Sequence, residues 1–288
     1  MKRSKRKELL LVISSIIPSL VLLRKNDPLR LAGATAFFTT FALPFIVFIL
    51  AQSFGLFIGP KIIGRGLIEN IAYNLGPDGA QQVRQIIHSI RSFNDNWYVI
   101  TCGFLFLLFV ATTLFIVIKD SLNQIWQVTK KPEVVFNLGT RLKSFLIILL
   151  IGALSFANVF LKNIQSIGNN FLENLLHGVS FLEIIVNEIR SVIIDSIWFI
   201  ILFRFLGDAQ PKWKAAIIGG LLTGILFITG RFFLKILLVK SNIGHLYGPS
   251  GSFVLILLFV FYTSFIMYYG ACFIAVYSEK KQWALTGN

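Results

Sequence analysis

Charged residues are scarce in this 288-residue chain, and acidic residues are scarcer than basic ones. Asp, Glu, Lys and Arg together make up 14% of the residues, against about 25% in soluble domains. Hydrophobic residues reach 56%, and a soluble domain of this size has no room to bury so much apolar side chain. The sequence therefore predicts an integral membrane protein and excludes a disordered chain.

Cysteine and histidine are also scarce, which bears on metal and redox chemistry. Cys102 and Cys272 lie in separate apolar runs and neither has a CxxC neighbour, so the sequence predicts no disulfide scaffold. The three histidines, His88, His177 and His245, are isolated from one another. Metal-dependent cleavage of phosphodiesters needs clustered His and carboxylate ligands. With no Walker A motif or Gly-x-Ser-x-Gly elbow either, we expect no metal, no cofactor and no enzymatic activity.

Long apolar runs are the main feature that is present. A hydrocarbon core of about 30 Å needs about 20 helical residues, and six runs approach or exceed that length. The sequence predicts an all-α integral membrane protein whose domain, residues 31–279, has six transmembrane helices. The predicted spans are 31–58, 97–118, 145–161, 192–206, 215–239 and 253–277. The third and fourth are the shortest, and an amphipathic lead-in would extend the fourth upstream.

Residues 1–30 are predicted to be a basic cytoplasmic arm followed by an interfacial helix. The apolar run Leu9–Leu23 is short for a span and is interrupted by Pro18. It follows basic residues, as in a signal peptide, but no clear small-residue cleavage site comes after it. Residues 280–288 are predicted to be a cytoplasmic tail.

Two stretches between the spans have apolar residues at helical spacing. They cover residues 80–93 and 164–189, and their polar residues lie off the apolar stripe. We expect amphipathic periplasmic helices there, packed on the bundle or resting on the outer headgroup layer.

The 27 basic residues outnumber the 13 acidic ones, giving a net charge of +14, a surplus that nucleic-acid-binding proteins also show. Most of them fall in the N-terminal arm, the loop after the second span, the junction of the fourth and fifth spans, and the tail. This bias predicts that both termini are cytoplasmic, since basic residues favour the cytoplasmic side. We interpret the surplus as a topology signal that also attracts anionic lipid, and expect no nucleic-acid partner.

Several segments in order resemble the YihY/BrkB membrane family. The resemblance covers roughly residues 25–280. It rests on Leu31-Ala-Gly-Ala-Thr-Ala-Phe-Phe38 with Phe41-Ala-Leu-Pro44, Leu122-Asn123-Gln-Ile-Trp126, Pro211-Lys-Trp213 before Gly219-Gly220, and then Tyr247-Gly248, Gly251-Ser252, Tyr262 and Gly270-Ala271.

This resemblance implies a multi-pass protein of the bacterial inner membrane with an N-terminal interfacial helix. Members of the family have carried ribonuclease BN and serum-resistance labels, and lipid or envelope-precursor transport has been suggested for them. Two positions depart from the family pattern: Ala42 stands where Ser is usual, and Cys272 stands where Glu is common. The second departure places any mechanism that uses that acid in doubt.

Polar residues within the spans are the candidates for a binding site, because a charge at membrane depth is costly and usually functional. Arg231 and Lys235 lie one turn apart in the fifth span, and Asp195 is near the start of the fourth. One reading pairs Arg231 with Asp195 at similar depth. A second has Arg231, Lys235 and Asn158 line a cavity for an anionic headgroup, and a third has the basic side chains snorkel to the interface.

Small residues and one proline mark helix contacts. We expect close helix packing at six small residues and a kink at the proline. These positions are Ala32, Ala36, Gly220, Gly224, Gly270 and Ala271 for packing, and Pro44 for the kink. Asn123 and Trp126 are read as an interfacial anchor or cap.

Three functional hypotheses remain. The first is a transporter or flippase for an anionic lipid or other amphipathic envelope compound. The second is a non-transporting envelope scaffold that binds partner proteins. The third, a ribonuclease, is disfavoured by the missing ligand cluster. Membrane lipids are the expected partners, and the sequence leaves open both the oligomeric state, a homodimer included, and the substrate.

Overall fold

A computed structural model describes residues 2–58, 81, 84, 97–128, 180–240, 251–283 and 285. Six α-helices contain most of these residues, and no strand occurs among them. The helices are α1 (Lys2–Lys25), α2 (Pro28–Ile58), α3 (Trp97–Ile125), α4 (Ser180–Phe205), α5 (Trp213–Lys240) and α6 (Gly251–Lys280). The predicted all-α class is thus confirmed for the described residues.

Most of the helices are longer than the apolar runs that predicted them. Helix α1 contains the basic residues as well as the apolar run and continues through Pro18, whereas the sequence suggested an arm followed by a shorter helix. Helix α4 starts at Ser180, well before the predicted span at 192. Hydropathy detects only the apolar part of a helix, while backbone hydrogen bonding continues into polar residues at the membrane surface.

Three helix ends are closed by non-glycine residues in the left-handed region. Asp27, Gln127 and Gln282 have φ of 50°, 53° and 53°. After α3, the N–H of Val128 donates to the C=O of Asn123 at 3.0 Å. After α6, the N–H of Trp283 donates to the C=O of Ser278 at 2.9 Å. These bonds satisfy carbonyls that a helix end leaves open and turn the chain sharply.

Helix α6 is central in the described structure. It packs against α1, α2, α3 and α5, while α4 pairs with α5 and α2 pairs with α3. The largest fully buried side chains come mainly from α6 and α4: Tyr268, Tyr277, Phe203, Phe273 and Leu202 are among them. The core of the molecule is therefore built around α6.

Large apolar side chains also cover much of the outer surface. On α1 they include Leu9, Leu10 and Ile17, the last of which is 73% exposed, and on α5 they include Phe232 and Phe233. Within the described residues, Trp213–Leu234 and Phe253–Lys280 are long and apolar enough to cross a bilayer. Exposed apolar residues on several helices suit a lipid environment. The predicted spans 31–58 and 97–118 lie within α2 and α3, and 145–161 lies outside the described residues.

Several chain segments meet at one end of the bundle, which we call the junction end. Arg30 at the start of α2 donates to Gln124 near the end of α3 at 3.4 Å. The loop between α4 and α5 contacts Asn123, and Lys281 after α6 lies 3.7 Å from Glu8 of α1. The sequence assigned these same segments to one side of the membrane because they are basic. Their shared end agrees with that grouping, and the cytoplasmic assignment stays a prediction.

Candidate functional site

A polar cluster ties α3 to the loop between α4 and α5 at the junction end. Nδ2 of Asn123 donates to Oδ2 of Asp208 at 2.8 Å, and the N–H of Asp208 donates to Oδ1 of Asn123 at 3.0 Å. Nζ of Lys119, one turn before Asn123, lies 3.4 Å from the same carboxylate oxygen. The side chains of Lys119 and Asp208 are each 16% exposed, so the pair is largely desolvated. A pair this enclosed is costly to break from one side only.

Trp126 connects the end of α3 to α6, also at the junction end. Its Nε1–H donates to the C=O of Ala271 at 3.0 Å, and the indole is 4% exposed. The ring also covers Gly207, where a Cβ would collide with it. Asn123 and Trp126 therefore hold the end of α3 to two other parts of the bundle, and the interfacial role that the sequence predicts for them stays a prediction.

The segment leading into α5 is organised by Arg204 and Trp213. Nη1 of Arg204 donates to the C=O of Pro211 at 3.0 Å, and its guanidinium lies 5.3 Å from the centre of the Trp213 ring. Pro211 is buried, while Trp213 is 52% exposed. An exposed tryptophan next to an arginine is typical of the membrane–water boundary.

Arg231 is one of two charged residues in the apolar stretch Trp213–Leu234 of α5; the other, Lys214, is in its first turn. Its guanidinium lies 6.0 Å from the centre of the Phe227 ring, within range of a cation–π contact. The side chain is half-buried, and Phe232 and Phe233 beside it are 63% and 65% exposed. The arginine is thus at the edge of the bundle, among aromatic side chains.

Tyr262 of α6 reaches the backbone of α5 just before Arg231. Its hydroxyl donates to the C=O of Leu226 at 2.9 Å and lies close to Gly230. In a regular helix that C=O is the acceptor of the Gly230 N–H, because residues 226 and 230 are four apart. A Cβ at position 230 would collide with the tyrosine hydroxyl. Glycine at that position therefore lets the hydroxyl approach the helix.

The contacts between α4 and α5 fix their register. A Cβ on Gly220 would lie 3.0 Å from the backbone of Ile200, and one on Gly224 would lie 3.1 Å from that of Ser196. This antiparallel register places Asp195 opposite position 225, so that Arg231 lies about 9 Å further along the helix pair. The sequence placed Asp195 and Arg231 at similar depth. Their pairing stays a prediction that requires the arginine side chain to extend back towards Asp195.

The other predicted site residues in the transmembrane part fall into two groups. Lys235 follows Arg231 by one turn on α5, and its side chain and that of Pro44 lie outside the described set, as does the burial of Gly251. Asn158, Tyr247 and Gly248 lie wholly outside the described residues.

Small residues lie at close helix contacts. Gly270 faces Thr223, whose Cβ would be 3.2 Å from an added methyl group. Ala32 and Ala271 are fully buried and Ala36 is 1% exposed. These residues, with Gly220 and Gly224, allow α2, α5 and α6 to approach neighbouring helices closely.

The two positions that depart from the family pattern are completely enclosed. Ala42 and Cys272 are both 0% exposed, and both belong to the main hydrophobic core. A carboxylate at position 272 would have to be desolvated there. The described structure thus uses Cys272 as a small core residue on α6.

No group of three or more His, Cys, Asp or Glu side chains suitable for a metal ion occurs in the described ranges. All three histidines lie outside those ranges.

Comparison with known families gives a match over nearly the whole chain. The family model described as virulence factor BrkB matches residues 21–287. This chain belongs to the BrkB family. This match confirms the family resemblance that we noted in the first span, in Asn123–Trp126 and in the closing motifs.

Two curated relatives agree with this assignment to the BrkB family. A UPF0761 membrane protein of Janthinobacterium sp. (strain Marseille) is 26% identical over 243 residues, which are 81% of this chain and 52% of that protein. A UPF0761 membrane protein of Photobacterium profundum is 25% identical over 273 residues, which are 92% of this chain and 81% of that protein. The chain spans about half the length of the first relative. No solved structure matches the chain. Family membership and the exposed apolar helices together identify a membrane protein.

Sequence reasoning missed two important residues of this BrkB-family chain. Asp208 and Lys119 were not singled out, although Asp208 joins the junction end through Asn123. The sequence does contain a sign that Asp208 is important. It is an acidic residue that follows Gly207 directly between two apolar spans, where a carboxylate needs a polar partner. Lys119 carried no comparable signal, because a lysine at the end of a span is ordinary.

Proposed function

We propose that this protein binds an anionic amphiphile, such as a lipid or an envelope precursor, and moves it across the bacterial inner membrane. The position of Arg231 carries this proposal. It lies within an apolar helix, next to Phe227 and to the exposed Phe232 and Phe233. A guanidinium there suits a phosphate or carboxylate headgroup, while the phenylalanines suit an apolar tail.

The cost of an arginine in a membrane supports a functional role. Inserting an arginine at the centre of a helix costs about 2.5–3.5 kcal/mol on insertion scales. An anionic headgroup that pairs with Arg231 offsets part of this cost. The substrate that gains most from this pairing is one whose negative charge must pass through the apolar region.

The contact of Tyr262 with α5 adds a second supporting feature. Its hydroxyl donates to the C=O of Leu226 and lies close to Gly230, immediately before Arg231. A side-chain donor on a helix carbonyl competes with the backbone N–H four residues on, so α5 bends more easily at this point than elsewhere, and bent helices border many transporter sites. A bend at this point would change the depth of the arginine.

The test is reconstitution into liposomes with fluorescent phosphatidylglycerol, followed by chemical quenching of the outer leaflet. We expect lipid to cross faster than in empty vesicles. Arg231→Ala should slow crossing by about tenfold, the value of a charge-assisted hydrogen bond, and Arg231→Lys should retain part of the rate.

Lys214→Ala is the matched control, because Lys214 is an exposed lysine at the opposite end of the same helix. Its rate should equal that of the parent protein. If the parent protein moves lipid no faster than empty vesicles, or if Arg231→Ala matches the parent, the transport proposal fails. Because the proposal involves no bond cleavage, we also expect purified protein to leave RNA intact with or without Mg²⁺.

A non-transporting scaffold that binds partner proteins is the second candidate function. The contacts of Asn123, Asp208 and Trp126 favour it, since these side chains bind one another or the bundle backbone. A scaffold would keep its role in Arg231→Ala, so growth or serum-resistance phenotypes in that variant separate the two candidates.

We further propose that both termini face the cytoplasm. The grouping of basic segments at the junction end supports this orientation. A C-terminal green fluorescent protein fusion should fluoresce, while a C-terminal alkaline phosphatase fusion should be inactive; the reverse result would invert the topology.

A further inference from the structure

A cluster of lysines surrounds Trp283 at the junction end. Nζ of Lys212, from the loop before α5, lies 5.0 Å from the centre of the Trp283 ring. Nζ of Lys281, just after α6, lies 6.0 Å from the same centre. Segments about 70 residues apart in sequence therefore place two ammonium groups against one indole.

Bringing two like charges to one ring costs free energy, which the ring's quadrupole offsets only in part. Glu8 lies 3.7 Å from Lys281, but its side chain is 50% exposed, so water screens that ion pair. The cluster therefore has an excess of positive charge that an anion would neutralise.

The backbone holds this cluster in place. Trp283 follows the turn that closes α6, where its N–H donates to the C=O of Ser278, and its ring packs edge-on against Tyr277. Tyr277 is 1% exposed, so one side of the indole rests on the core. A tryptophan held in this way, with lysines beside it, suits the headgroup level of a membrane.

We propose that Trp283, Lys212 and Lys281 form a binding site for the phosphate headgroup of an anionic phospholipid such as phosphatidylglycerol. Both ammonium groups contact the phosphate, and the indole contacts the glycerol and the first methylenes of the tails. This site is at the opposite end of α5 from Arg231. It does not depend on the proposed transport of a substrate past Arg231.

Native mass spectrometry of the purified full-length protein in detergent tests the site. We expect added phosphatidylglycerol to bind more tightly than phosphatidylcholine. The double variant Lys212→Gln/Lys281→Gln should bind phosphatidylglycerol about thirtyfold more weakly, since each lysine near an anionic surface contributes roughly fivefold. Trp283→Phe keeps an aromatic ring and should weaken binding less.

The matched control is Arg24→Gln/Lys25→Gln, which removes the same charge from exposed positions in the last turn of α1. This control should bind phosphatidylglycerol as the parent protein does. Circular dichroism and gel filtration establish that each variant is folded, and the liposome assay of lipid crossing is run on the same samples.

Three results would overturn the proposal. The first is that the protein binds phosphatidylcholine as tightly as phosphatidylglycerol. The second is that the control variant loses as much phosphatidylglycerol binding as the lysine variant. The third is that millimolar inorganic phosphate displaces the lipid. The last result would show a site for the free ion instead of the lipid. If the parent protein binds phosphatidylglycerol but moves lipid no faster than empty vesicles, only the transport proposal is contradicted.

Discussion

Lys280 and Ser14 are joined by two hydrogen bonds that connect the end of α6 to the middle of α1. Nζ of Lys280 donates to the C=O of Ser14 at 2.6 Å and to Oγ of Ser14 at 2.9 Å. In a regular helix the C=O of residue 14 accepts from the N–H of residue 18, but residue 18 is Pro and has no N–H. The lysine therefore supplies the donor that the proline lacks.

Removing this lysine should cost more in the parent protein than in a Pro18→Ala background. Lys280→Met should lower the free energy of unfolding by about 0.5–1 kcal/mol, because the Ser14 carbonyl loses its charged donor and water, which reaches this exposed pair, replaces it only in part. In Pro18→Ala, position 18 regains an N–H, so the same substitution should cost less. Thermal unfolding of the four proteins in detergent measures the difference. If Lys280→Met destabilises both backgrounds equally, the lysine does not compensate for the N–H that Pro18 lacks.

The Asn123–Asp208 pair should behave as a coupled unit. Asn123→Ala and Asp208→Ala should each destabilise the protein by about 1–3 kcal/mol, since the first removes two hydrogen bonds of Asp208 and the second removes the carboxylate that Asn123 and Lys119 share. The double variant should cost less than the sum. Gln124→Ala, at the exposed neighbouring position, removes only two long hydrogen bonds of 3.4 Å and is the control; it should cost less than about 0.5 kcal/mol. Strictly additive losses would mean that the two residues stabilise the junction end separately.

Glycines on α5 and α2 should differ sharply in their tolerance of alanine. Gly224→Ala places a methyl group against Ser196 and should cost about 1–3 kcal/mol, because α4 and α5 must separate. Gly33→Ala on α2 meets nothing within 4 Å and should be neutral or stabilising by up to about 1 kcal/mol. Both melting temperatures are measured in the same detergent. A harmless Gly224→Ala would contradict the close α4–α5 contact.

Trp126 should tolerate phenylalanine less well than Trp213 does. Trp126→Phe removes the hydrogen bond to Ala271 and part of the cover over Gly207, and should cost about 1–3 kcal/mol. Trp213→Phe changes a half-exposed ring and should cost less than about 0.5 kcal/mol. Unfolding followed by circular dichroism compares them. Similar losses in both variants would remove Trp126 from its proposed role as an anchor between α3 and α6.

The amino-acid sequence by itself was enough for the membrane class, the family and the approximate centres of five described helices. These properties depend on composition, on runs of apolar residues and on short motifs, all of which are local. The grouping of the basic segments was also predictable. Successive spans place alternate loops on the same side of the membrane, and the basic residues are concentrated in alternate loops. The helix ends were not predictable from hydropathy, as α1 and α4 show, because backbone hydrogen bonds extend beyond the apolar residues.

The side-chain partners were decided only by the tertiary structure. Asn123 and Asp208 are 85 residues apart, Lys280 and Ser14 are 266 apart, and no local pattern relates the members of either pair. The depth of Arg231 relative to Asp195 likewise depends on the α4–α5 register, which the contacts of Gly220 and Gly224 set. Sequence patterns specify which residues are apolar or charged. The packing of helices decides which of the charged and polar residues meet, because it fixes distances that sequence separation does not contain.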